Sequence, residues 1–109
     1  MIQSLGDLNV ADGDPVAAQD IPAAVTASIL IYDDGTSQTF EPDGRTTYVE
    51  DGKPSEGEWY VDESGHFCSF WPPSYRACYD LHWIVTDGGV VGLRFAGLGG
   101  GSEFAGRYR

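Results

Sequence analysis

Asp-Gly, Ser-Gly and Pro-Pro breaks punctuate the chain, and their rhythm constrains the fold more than any other feature. They fall at Asp33-Asp34-Gly35, Asp43-Gly44, Asp51-Gly52, Ser64-Gly65, Pro72-Pro73-Ser74 and Asp87-Gly88-Gly89. Asp-Gly suits tight hairpin turns because glycine takes positive φ without steric cost. A turn every eight to twelve residues or so reads as consecutive antiparallel strands.

The runs between these turns alternate apolar and polar residues with the period of a strand. Val25, Ala27, Ile29 and Ile31 share one parity, and Thr36, Gln38 and Phe40 share another. Trp59 and Val61 alternate with Glu58 and Tyr60. Val91, Leu93 and Phe95 follow, and Phe104 and Tyr108 flank Gly106. No stretch after Val25 keeps a helical period. The expected fold is all-β: an antiparallel meander of about eight short strands, forming a small barrel or a strongly bent sheet that hides its edges.

Residues 1–24 differ in composition. "DGDPVAAQDIPAA" carries two prolines, and Pro22 is expected to stop any helix begun near Pro15. The expected organisation is a loose arm over 1–24, with little regular structure, and a single β domain over 25–109. At 109 residues the chain has room for one core.

The formal net charge is −11, from 17 acidic and 6 basic residues. Such a surface repels phosphate backbones and anionic membranes, so nucleic acid is not an expected partner. No apolar run is long enough to cross a bilayer, and membrane insertion is not expected. The start, "MIQSLGDLNVADGD", has no basic segment followed by an apolar one, so it does not read as an export signal.

Chemistry concentrates in "GHFCSFWPPSYRACYDLHW", residues 65–83, which holds both cysteines and both histidines. With Pro72-Pro73-Ser74 as the hairpin loop, Cys68 lies opposite Cys78, His66 opposite Asp80 and Phe70 opposite Arg76, all on one face. Phe67, Trp71, Tyr79, Leu81 and Trp83 share the other face, the expected core side. Opposed cysteines on neighbouring strands are close enough for a disulfide, and its short loop gives an expected gain of about 2–3 kcal/mol. Two free buried thiols are an alternative. So is a zinc site drawn from His66, Cys68, Cys78 and His82, although its spacing lacks the usual Cys-x-x-Cys knuckle.

His66 and Asp80 are candidates for a general-base pair, with a surface cross-strand pair as the plainer alternative. The acidic turns look like solvated hairpin tips, because none follows the spacing of a calcium loop. Trp59, Trp71, Trp83, Phe40, Phe95 and Tyr48 are candidates to line a ligand cavity. In a barrel this small they are expected to fill the interior instead.

The pattern Asp34-Gly35, Phe40, Asp43-Gly44, Gly57-x-Trp59, Cys68 and Cys78-Tyr79 resembles that of a group of small, mostly exported bacterial proteins of unknown function. The resemblance covers residues 29 to 83. It implies a lipocalin-like half barrel in outline and an oxidising compartment, periplasmic or secreted; without an export signal the alternative is cytoplasmic. It brings no activity and no cofactor.

The expected function is therefore non-enzymatic binding of a small molecule or a protein, through aromatic residues at the proline-stiffened tip: Phe70, Trp71, Pro72, Pro73 and Tyr75. The alternatives are a hydrolase-like or metal-dependent enzyme built on His66, Asp80 and His82, and a structural module of the cell envelope.

Overall fold

The structure is a computed structural model that describes residues 9–109. Eight strands run in sequence: β1 (Leu30–Tyr32), β2 (Ser37–Phe40), β3 (Arg45–Glu50), β4 (Lys53–Val61), β5 (Phe67–Trp71), β6 (Tyr75–Thr86), β7 (Gly89–Gly97) and β8 (Glu103–Tyr108). Each pairs antiparallel with the next, and β8 returns to β1 through Leu30↔Tyr108 and Tyr32↔Gly106. The meander therefore closes into a barrel, so that β1 and β8 pair with each other and are not open sheet edges. Among the described residues no helix is long and apolar enough to cross a membrane.

The turns behave as their chemistry requires. Asp51-Gly52 and Asp87-Gly88 each have positive φ at both residues, the two-residue turn whose twist matches that of paired strands. Several acidic turn residues stitch their own loops. Asp34 Oδ1 accepts from the Thr36 amide and hydroxyl, and Asp43 Oδ1 accepts from the Arg45 amide. These contacts hold the Asp34 and Asp43 carboxyls below the usual carboxylate range.

The segment expected to be a loose arm is, from residue 9 onward, part of the packed structure; residues 1–8 lie outside the described residues. β5 pairs only with the first half of β6, as far as Phe67↔Tyr79. Residues 13–16 take over along the second half. Gly13 and Val16 donate to the Trp83 and Leu81 carbonyls, and Trp83 donates to the Asp14 carbonyl.

A 3₁₀ turn (Ala18–Asp20) then leads into a short helix, α1 (Ile21–Thr26). Pro22 sits in the first turn of α1, where its missing N–H costs nothing, so it opens this helix and does not end one begun at Pro15. Val25, expected to open the first strand, is instead buried inside α1 along with Ile21 and Ala24. The inward face of β1 is Leu30 and Tyr32, while Ile31 points to solvent.

Candidate functional site

The two ends of the barrel are built differently. At one end α1 plugs the interior. Ile21, Ala24 and Val25 belong to a continuous buried core with Leu30, Phe40, Trp59, Leu81, Trp83 and Leu93. Polar tips of large side chains are tied to backbone here: Tyr108 Oη donates to the Ala24 carbonyl at 2.7 Å, and Trp59 Nε1 donates to the Glu41 carbonyl at 2.8 Å. Burial pushes the Tyr108 hydroxyl well above its ordinary value, so it stays a donor.

The other end is hollow. A cavity of about 510 Å³ opens between the β1–β2, β3–β4, β5–β6 and β7–β8 loops. Phe67 and Phe95 form its floor, and Tyr32, Tyr48, Trp71, Tyr79 and Phe104 form most of its wall. The rings brace each other. Phe95 stacks on Phe104 with centroids 4.9 Å apart, and Tyr32 and Tyr79 meet Phe104 edge-on at 5.3 and 5.5 Å. Such pairings fix ring positions beyond simple area burial.

Residue size explains why this end stays open. Two rings lie flat against glycine backbone and do not cross the interior. A Cβ on Gly57 would sit 2.5 Å from Trp71 Cε3, and one on Gly106 would sit 2.8 Å from Tyr32 Cε1. Ser69, between Phe67 and Trp71 on the inward face of β5, is too small to bridge the space. Gln38 and Thr36 add further short polar lining. The expectation that aromatics fill the interior therefore holds for Trp59, Trp83 and Phe40 and fails for Trp71 and Tyr48, which border open space; Phe95, 1% exposed, belongs to the core and also reaches the cavity.

A polar chain crosses part of the wall. Tyr32 Oη donates to Gln38 Oε1 at 2.6 Å, Gln38 Nε2 donates to Thr46 Oγ1 at 2.8 Å, and Thr46 Oγ1 donates to the Thr39 carbonyl at 2.7 Å. Burial, reinforced by Tyr48, Tyr79 and Asp34, pushes the Tyr32 hydroxyl far above its ordinary value, so the chain keeps its direction at neutral pH. Ser69 is only 4% exposed, yet its hydroxyl makes no hydrogen bond among the described residues. It shares the cavity-facing side of β5 with Phe67 and Trp71.

Of the five residues expected at the binding tip, Trp71 lines the cavity. Pro72 and Pro73 are exposed on the loop at its mouth, and Tyr75 is 61% exposed beside them. Phe70 faces outward and is covered by the Arg76 guanidinium, 5.0 Å from its ring centroid; Arg76 also donates to the Tyr60 hydroxyl.

Cys68 and Cys78 face each other and form a disulfide with an S–S distance of 2.05 Å. Both sulfurs are thereby spent, so the zinc set built on their thiolates does not form. His82 is set apart from it, with Nδ1 3.2 Å from the Gly13 carbonyl. His66 lies on the outer wall, with Nδ1 3.3 Å from Asp62 Oδ2 and Nε2 3.7 Å from Asp80 Oδ1. The nearer carboxylate is thus Asp62, from the loop before β5, and Asp80 stands beyond hydrogen-bond reach. Asp62 accepts the Ser64 and His66 amides, which hold its carboxyl below the usual range. None of these groups lines the cavity.

Sequence reasoning missed Tyr32, Gln38, Ser69, Phe104 and Glu103 as cavity residues. The shared parity of Phe104, Gly106 and Tyr108 carried a signal for one of them. Tyr32 was hidden because the run from Val25 to Ile31 suggested the opposite inward face.

No family model, curated protein or solved structure matches this chain.

Proposed function

We propose that the protein is a non-enzymatic binder of a small, largely apolar ligand, held in the aromatic cup at the open end of the barrel. The observation that carries this reading is the cavity of about 510 Å³, within the range of small-molecule sites and lined mainly by rings with a few convergent polar groups. The rings are braced before any ligand arrives, so little ordering entropy opposes binding. The Cys68–Cys78 disulfide supports an oxidising compartment, periplasmic or extracellular. The imidazole of His66 and its carboxylates lie outside the cup, which favours binding over catalysis.

Titration with a neutral naphthylamine dye tests this. One dye per chain, with blue-shifted emission, energy transfer from tryptophan and a midpoint on the order of micromolar, is the expected result. Absence of saturable binding refutes the proposal.

A further inference from the structure

The charged side chains that line the cup are acidic. Among the described residues its lining includes Asp33, Asp34 and Glu103 and contains no lysine or arginine. All three acids lie on the same side of the mouth, because β1 and β8 pair and these residues sit where those strands reach the rim. One base approaches them: Arg107 Nη1 is 3.6 Å from Asp33 Oδ1, on the exposed surface. Asp34 and Glu103 have no basic partner among the described residues. Asp34 is held in its charged form by the Thr36 hydroxyl and amide.

Behind this rim stand the rings of Tyr32, Tyr48, Trp71, Tyr79 and Phe104, whose faces carry the negative part of the aromatic quadrupole. Deeper still is the Ser69 hydroxyl, on a residue 4% exposed and with no hydrogen-bond partner among the described residues, which offers a hydrogen bond to one polar atom of an occupant. An anionic ligand would meet three carboxylates, of which, among the described residues, only Asp33 has a cation beside it, Arg107 on the exposed surface. A cation gains from the rim charges, from the ring faces and from the field of a chain whose net charge is −11.

We propose that the cup selects organic cations, namely molecules with a flat or flexible apolar body and a protonated amine or quaternary ammonium head set against the Asp33–Asp34–Glu103 side of the mouth. This rests on the cup being a ligand site, and the test separates the two claims.

A matched series with one body and three heads (4-phenylbutylamine, 4-phenylbutanol and 4-phenylbutyrate) competes against the neutral dye. The amine is expected to displace dye about tenfold more tightly than the alcohol, the scale of one or two cation–π contacts plus rim attraction. The carboxylate is expected to be weakest. The advantage of the amine over the alcohol, compared within each protein, should shrink in high salt and in the Asp33→Asn/Asp34→Asn/Glu103→Gln variant, whose fold is checked by circular dichroism.

Equal binding of amine and alcohol overturns cation selection. So does an amine advantage that survives neutralisation of the rim, or a series in which no member displaces bound dye. In each of those cases the bound dye leaves the cup standing as a site, whereas a dye that never binds removes the cup itself.

Discussion

Ser69→Leu should make this protein more stable and deprive it of its ligand. The serine side chain faces the cavity with no hydrogen-bond partner among the described residues, so the substitution breaks no bond within the protein. It places three additional apolar carbons in an aromatic-lined space of about 510 Å³. At about 0.8 kcal/mol per buried carbon, full burial would give about 2.4 kcal/mol. Fixing the leucine rotamer costs about 0.5–1 kcal/mol, and the open mouth leaves part of the added surface wet. The net gain is about 1 kcal/mol, or a rise in Tm of roughly 4–8 °C for a domain of this size. Thermal unfolding followed by near-ultraviolet circular dichroism reads the stability, and dye titration reads the site. Enlarging a residue in a packed core has the opposite sign and typically costs about 1–3 kcal/mol. A Tm that falls by several degrees would therefore show that the space beside Ser69 is already full. A raised Tm with unchanged dye binding would show that the ligand sits elsewhere.

Two further outcomes are expected. The disulfide closes a loop of sequence separation 10, so Cys68→Ala/Cys78→Ala should lose about 2–3 kcal/mol in a urea titration while keeping dye affinity, because the bond lies on the outer wall; an unchanged midpoint would contradict the cross-link. Tyr32 and Tyr108 keep their protons in the folded protein above the ordinary tyrosine value of 10.0, whereas the unfolded chain releases them near it. Stability is therefore fully retained below about pH 10 and falls as pH rises beyond it, so both rings should ionise only together with unfolding in an absorbance titration. Their early, reversible ionisation in folded protein would refute the burial argument.

The strands were legible in the sequence because two signals agreed: turn chemistry set their ends and alternation set their faces. The register from Phe67↔Tyr79 to Trp71↔Tyr75, and with it the disulfide, follows from taking Pro72-Pro73-Ser74 as the loop. Alternation misled where a helix abuts a strand. Val25 and Ala27 fit a period of two, but Pro22 opened a helical turn and the true strand began only at Leu30. The seam between residues 13–16 and β6 was invisible because it depends on β5 being shorter than β6, a property of lengths and not of residue types.

The cup was the least legible feature, since a period of two says which side chains point inward and nothing about whether they meet. That is decided by size at a few positions. Gly57 and Gly106 let Trp71 and Tyr32 lie along the wall, and Ser69 leaves the space between them unspanned. At the plugged end the same inward parity carries Phe40, Trp59 and Trp83, with α1 behind them, and the interior closes. Both ends thus use one wall pattern, and the difference is that large residues oppose glycine or serine at one end and other large residues at the other. Leaving aromatic surface wet forgoes hydrophobic stabilisation that a single larger side chain would recover. A chain that keeps such a hollow, braces its rings and places its carboxylates on one side of the rim has given up stability at one end, and binding is the return that this geometry offers.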